Sequence, residues 1–162
     1  MFKKGLISLY KLIDRRQRLF PRGINKVFEL GDVKLNVNLL DSGGMYYQKQ
    51  TMEVYNRLYQ LIQDDLKPEI ILDIGANYGF ISLIAHKYMP QAFILAVEPD
   101  PKLYPYIEKN LEEDGLVIFE VKEALCGDEL KECTFSVNPA SSQDNRVNKK
   151  GWKKMETVIL AK

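Results

Sequence analysis

At 162 residues, 46% hydrophobic and 28% charged, the chain is ordinary globular material of a length that suits one domain with a buried core. A net charge of +1 gives no overall pull toward nucleic acid or a membrane surface, so nucleic acid is not an expected partner. Cys126 and Cys133 match no zinc spacing, so no metal is expected, and they read as reduced, partly buried thiols of a cytoplasmic protein. No stretch approaches the roughly 18 consecutive apolar residues of a membrane span.

The N-terminus, Met1-Phe-Lys-Lys, superficially resembles an export signal. Its apolar part, Gly5 to Tyr10, is cut short by Lys11, and Arg15, Arg16 and Arg18 follow with no small-residue cleavage site. Export is therefore rejected. Phe2 to about Arg18 reads instead as an amphipathic helix, ended by the breaker Phe20-Pro-Arg-Gly23. Residues 1–26 carry an excess of lysine and arginine against Asp14 alone. That face is either a solvated surface or a peripheral contact for anionic lipid or an acidic partner.

Two short strands follow, Lys26 to Leu30 and Val33 to Leu39. In the second, Val33, Leu35, Val37 and Leu39 alternate inward against Lys34, Asn36 and Asn38 outward. Thr51 to about Asp64 is a further helix, with Val54, Leu58, Leu61 and Ile62 as its stripe. Tyr46, Tyr47, Tyr55 and Tyr59 cluster ahead of the core, as a roof or as core.

The most informative stretch is Ile70-Ile-Leu-Asp-Ile-Gly-Ala-Asn-Tyr-Gly-Phe80, followed by Ala96-Val-Glu-Pro-Asp100. An apolar run ends in Asp73, Gly75 and Gly79 frame a turn, and Phe80 to Tyr88 is amphipathic. That order predicts a buried parallel strand, a glycine loop and a helix. A second apolar strand, Phe93 to Val97, ends in Glu98-Pro99. Its acid can accept hydrogen bonds from both hydroxyls of a ribose. Asp100 is expected to cap the next helix, with Pro101 at its first position and Asp114-Gly115 at its end. Val117 to Val121 is a third buried strand, Cys133 to Val137 a short one, Pro139 to Gly151 a polar loop, and Met155 to Ala161 a last strand-like run.

The loop pattern, Asp73-x-Gly75-x-x-x-Gly79, lacks the middle glycine of a dinucleotide fingerprint, and a carboxylate leading the turn would repel a pyrophosphate. It suits S-adenosylmethionine, which carries an ammonium group and no phosphate. Here the sequence resembles the class I S-adenosylmethionine-dependent methyltransferases. Within them, LDIGANYGFISL followed by AVEPDP is similar to the FkbM family. The resemblance is clearest from Glu69 to about Gly127. It implies an α/β, Rossmann-like sheet with flanking helices, and O-methylation of a sugar, polysaccharide or other small-molecule hydroxyl.

Asp73 is the candidate receiver of the cofactor's ammonium, or a cap of the glycine turn. Gly75 and Gly79 would leave room for the methionine part, and Ala76 and Asn77 would offer backbone donors. Glu98, with Pro99 behind it, would take the ribose. Glu123 and Ala124 stand where the adenine edge is expected. The general base is not revealed: His86, the sole histidine, lies too far along its helix and reads as a packing residue. The polar run Ser141-Ser-Gln-Asp-Asn145 is a better candidate for touching substrate, or a plain connection.

On this reading residues 1–67 form an N-terminal helix, a hairpin and a covering helix, and residues 68–162 the cofactor-binding core. That core has fewer strands than the seven of a class I methyltransferase, and Ile159-Leu-Ala-Lys162 stops within an apolar run. The expectation is a truncated methyltransferase, or one completed by a second chain as a homo-oligomer. Two other functions compete: a non-catalytic binding fragment, and an NAD-dependent or nucleotide-sugar oxidoreductase.

Overall fold

The computed structural model describes residues 24–30, 33–44, 60, 67–127, 132–138, 141–147 and 154–161. The helix expected at residues 2–18 lies outside them, as do the four clustered tyrosines and all but Gln60 of the helix expected at 51–64. The fold is Rossmann-like α/β. Strands β3 (Ile70–Ile74), β4 (Phe93–Glu98) and β5 (Phe119–Glu123) form a parallel sheet in that order. Ile70 lies opposite Phe93, and Ile94 opposite Phe119. Helix α1 (Phe80–Tyr88) connects β3 to β4, and α2 (Tyr104–Glu113) connects β4 to β5.

Each helix forms because one stripe is buried at helical spacing. In α1 that stripe is Phe80, Leu83 and Ile84; in α2 it is Ile107, Asn110 and Leu111. Helix α2 ends as expected at Asp114-Gly115. Gly115 adopts φ 84°, and the Leu116 N–H reaches back to the Leu111 carbonyl at 3.0 Å. Its start differs from the expectation. The Asp100 carboxylate accepts the Lys102 N–H at 3.1 Å and makes a separate turn, so the helix begins at Tyr104 with Pro105 in its first turn. The third strand also starts later than its apolar pattern implied. Leu116 is held in the helix cap, and Val117 and Ile118 are exposed before the strand begins at Phe119.

Ahead of the sheet, β1 (Asn25–Leu30) and β2 (Val33–Asn38) pair as an antiparallel hairpin. Phe28, Val33, Leu35 and Val37 join the same core cluster as Tyr78, Phe80, Leu83, Ile94 and Ile107. Asn36 corrects the alternation: it is 1% exposed rather than outward. Its side chain is buried because Asn110 supplies a partner. Asn110 Oδ1 accepts from Asn36 N and Nδ2, and Asn110 Nδ2 donates to the carbonyls of Asn36 and Tyr78. All four hydrogen-bonding positions of that amide are filled.

Strand β5 runs through buried Ala124 into β6 (Leu125–Cys126), where a second, mixed sheet begins. Its order is β6-β9-β7-β8, with β7 Glu132–Ser136, β8 Arg146–Val147 and β9 Lys154–Ala161. Strand β9 runs parallel to β6 and antiparallel to β7. Cys126 is an exposed free thiol, not the partly buried one expected. On β3 the row Ile70, Leu72 and Ile74 is 65%, 54% and 57% exposed, while Ile71 packs against the core. No described helix is long and apolar enough to cross a membrane.

Candidate functional site

Strand ends and the segments after them converge on a cavity of about 450 Å³. One wall is Ile74, Gly75 and Asn77 from the loop after β3, with Glu98 and Pro99 from the end of β4. The other is Ala124, Leu125, Cys126 and Phe135, and a rim of Ser142, Gln143 and Asn145 crosses between them. The open end of a parallel sheet, where the strands' carboxyl ends meet helix starts, is where α/β folds bind ligands.

The glycine loop is held from within. Gly75, Asn77 and Gly79 adopt positive φ of 79°, 52° and 77°. A side chain at Gly75 would meet nothing within 4 Å, so conformation rather than space requires glycine there. At Gly79 a Cβ would stand 3.3 Å from Ile107 Cγ2. That glycine admits α2 against the loop and is not among the residues of the cavity wall. The expected backbone donors are also occupied. The Gly75 and Ala76 N–H groups both donate to the Val97 carbonyl, at 2.8 and 3.1 Å, and the Asn77 N–H donates to Glu98 Oε2 at 2.9 Å.

Glu98 is 5% exposed and lines the cavity. Its other oxygen, Oε1, accepts the Asp100 N–H at 2.9 Å, and the Tyr104 hydroxyl donates to its carbonyl. Burial outweighs these donors and pushes its carboxyl up to about 7, with Asp100 and Asp73 adding like charge. Asp73 is buried beneath the loop and outside the cavity wall. Its Oδ2 accepts the Ser82 N–H at 3.1 Å and the Ser82 hydroxyl at 2.6 Å, capping α1 from the strand. Burial raises the Asp73 carboxyl too, against those hydrogen bonds.

Of the nine residues read from sequence, Gly75, Asn77, Glu98, Pro99 and Ala124 meet in the cavity wall. Asp73, Ala76, Gly79 and Glu123 stand outside it, Glu123 exposed on β5. His86 lies outside it as well. Tyr78 is 1% exposed and turned away from the cavity, its ring edge-on to Tyr106 at 5.2 Å. The sequence reading missed Leu125, Cys126 and Phe135; only the apolar pattern of β7 hinted at the last. The polar run flagged at 141–145 does reach the wall.

Glu98 is the charged side chain of the described wall, which holds no lysine or arginine. Two loop N–H groups are bound to the Val97 carbonyl and a third to the Glu98 carboxylate.

No family model matches the chain. A segment of 57 residues, 35% of the chain, is 42% identical to the methyltransferase sdnD of Sordaria araneosa, and the match spans 22% of that relative. Among solved structures, the precorrin-6y C5,15-methyltransferase of Geobacter metallireducens is 27% identical, with a TM-score of 0.39 over 44% of this chain and 38% of its own. The Pyrococcus horikoshii protein PH0793 is 18% identical, with a TM-score of 0.45 over 60% of this chain and 35% of its own.

Proposed function

We propose that this chain is the cofactor-binding part of an S-adenosylmethionine-dependent methyltransferase. The observation that carries the reading is Glu98, a buried carboxylate at the end of β4 that lines the cavity. Glu98 would accept from the ribose hydroxyls, and the Asn77 and Asp100 N–H groups hold its two oxygens in place. Ala124, Leu125, Cys126 and Phe135 would flank the adenine, and Gly75 and Ile74 the methionine part. Asp73, raised by burial, would influence the ammonium through the loop rather than by direct contact. Bound there, the cofactor supplies an electrophilic methyl group on a positively charged sulfur.

The acceptor we propose is a hydroxyl of a sugar, polysaccharide or other small molecule, the class implied by the FkbM-like wording of the loop, with the protein in the cytoplasm. Residues 68–162 would form the cofactor core and residues 1–67 its cover. Differential melting tests the reading. S-adenosylhomocysteine and S-adenosylmethionine should raise the melting temperature, and NAD should not. A shift with NAD alone would overturn it in favour of an oxidoreductase.

A further inference from the structure

The rim Ser142–Asn145 carries no apolar side chain of its own and is tied by hydrogen bonds to three distant places. The Asp41 carboxylate, from the turn after β2, is 7% exposed. Its Oδ1 accepts the Ser142 N–H at 2.8 Å and the Gly43 N–H at 2.9 Å, while Oδ2 accepts the Tyr78 hydroxyl at 2.7 Å. One carboxylate thus joins the hairpin, the glycine loop and the rim. Asn77 Nδ2 donates to Ser142 Oγ at 2.9 Å from the loop side, and Asn145 Nδ2 donates to Asp100 Oδ2 at 3.0 Å.

The approach at Gly43 shows how tightly the rim is seated. A Cβ there would stand 2.6 Å from Ser142 Oγ, 3.1 Å from Asp41 Oδ1 and 3.2 Å from Gln143 Cγ. Turning the serine hydroxyl away relieves the clash but breaks its bond to Asn77, so an alanine at 43 either loosens that tie or displaces the rim. Asp41 itself is outside the cavity wall and faces a second, smaller cavity of about 70 Å³ that shares Ser142 with the first.

We propose that Asp41 is a positioning residue of the cofactor site, holding the Ser142–Asn145 rim across the cavity from the hairpin side, with Gly43 as the seat that admits it. The inference rests on the cofactor reading above and adds a residue to it that touches no ligand. Three variants separate positioning from bulk stability. Asp41→Ala removes the anchor, Asp41→Asn keeps an oxygen for the Ser142 N–H, and Gly43→Ala leaves the anchor but blocks the seat.

Hydrogen exchange over residues 141–147 should speed up about tenfold in Asp41→Ala and Gly43→Ala, with exchange in β3 and β4 unchanged and Asp41→Asn close to wild type. Calorimetry should show S-adenosylhomocysteine binding weakened about 3- to 10-fold in the same two variants, the size of one lost hydrogen bond or slightly more. Wild-type exchange across the rim in Asp41→Ala would overturn the proposal. So would unchanged affinity in a variant whose rim exchanges faster. Failure of the wild-type chain to bind S-adenosylhomocysteine would instead overturn the methyltransferase reading, and the exchange data would still decide whether Asp41 holds the rim.

Discussion

The glycine loop and the rim face each other across one cavity and are secured by opposite means. The loop is fixed through its backbone N–H groups, Gly75 and Ala76 on Val97, Gly79 on Ala76 and Asn77 on Glu98, and is backed by the core through Tyr78. The rim is fixed by single side chains reaching from residues 101, 65 and 45 positions away in sequence. Damage beneath the loop should therefore spread through the domain, whereas damage to the rim should remain local.

The sharpest way to break that contrast is Asn110→Ala. It removes the acceptor of the buried Asn36 backbone N–H and a donor to the Tyr78 carbonyl. The expected loss is about 2–4 kcal/mol in urea unfolding. A loss under about 1 kcal/mol would mean the loop does not depend on what lies under it.

Next in size is Glu98→Ala, which removes a charged acceptor from the wall. S-adenosylhomocysteine should bind 10- to 150-fold more weakly, about 1.5–3 kcal/mol. Equal affinity would remove the ribose assignment.

Glu98 also predicts opposite pH trends for stability and binding. Its carboxyl rises from 4.5 unfolded to about 7 folded, so between those values the folded chain holds a proton that the unfolded chain has released. The Glu98 contribution to stability should thus fall as pH rises from about 4.5 to 7, then level off. Binding should strengthen over the upper part of that range, since the ionised form accepts from both hydroxyls of the ribose. Paired melting and calorimetry on wild type and Glu98→Gln should show both slopes flattened in the variant; parallel profiles would contradict the assignment.

The smallest expected effect is on the rim. Asn145→Ala removes its bonds to Asp100 and to the Asn138 N–H and should cost about 0.5–1.5 kcal/mol in urea unfolding. A cost equal to that of Asn110→Ala would erase the distinction between loop and rim.

That same distinction explains what could be read in advance. The β3-loop-α1 unit, the acid closing β4 and the Gly115 cap are local patterns in which spacing, glycine and one acid dictate the backbone. Asp41, Asn36 and Asn110 are invisible to such a reading, because a lone polar residue in a strand or helix does not announce a partner far along the chain. Asn36 read as outward for that reason. Glu123 was placed by counting to the strand's end, but the cavity lies past it, at Ala124 and Leu125, where the chain leaves one sheet for the other. The glycine turn differs in another way: of the two N–H groups expected to serve a ligand, Ala76 donates to the Val97 carbonyl and Asn77 to the Glu98 carboxylate, neighbours that no local pattern announces.

Asn110 has a consequence for the order in which the molecule can be made. Its bonds join β2 to α2 across 74 residues of chain and reach back 32 residues to the glycine loop. As the chain is synthesised, the hairpin emerges before Asn110 can accept the Asn36 N–H, and the loop before Asn110 can donate to the Tyr78 carbonyl. Neither can be sealed until α2 has left the ribosome. The buried junction of hairpin, loop and helix is thereby committed to closing late, once all three pieces are present.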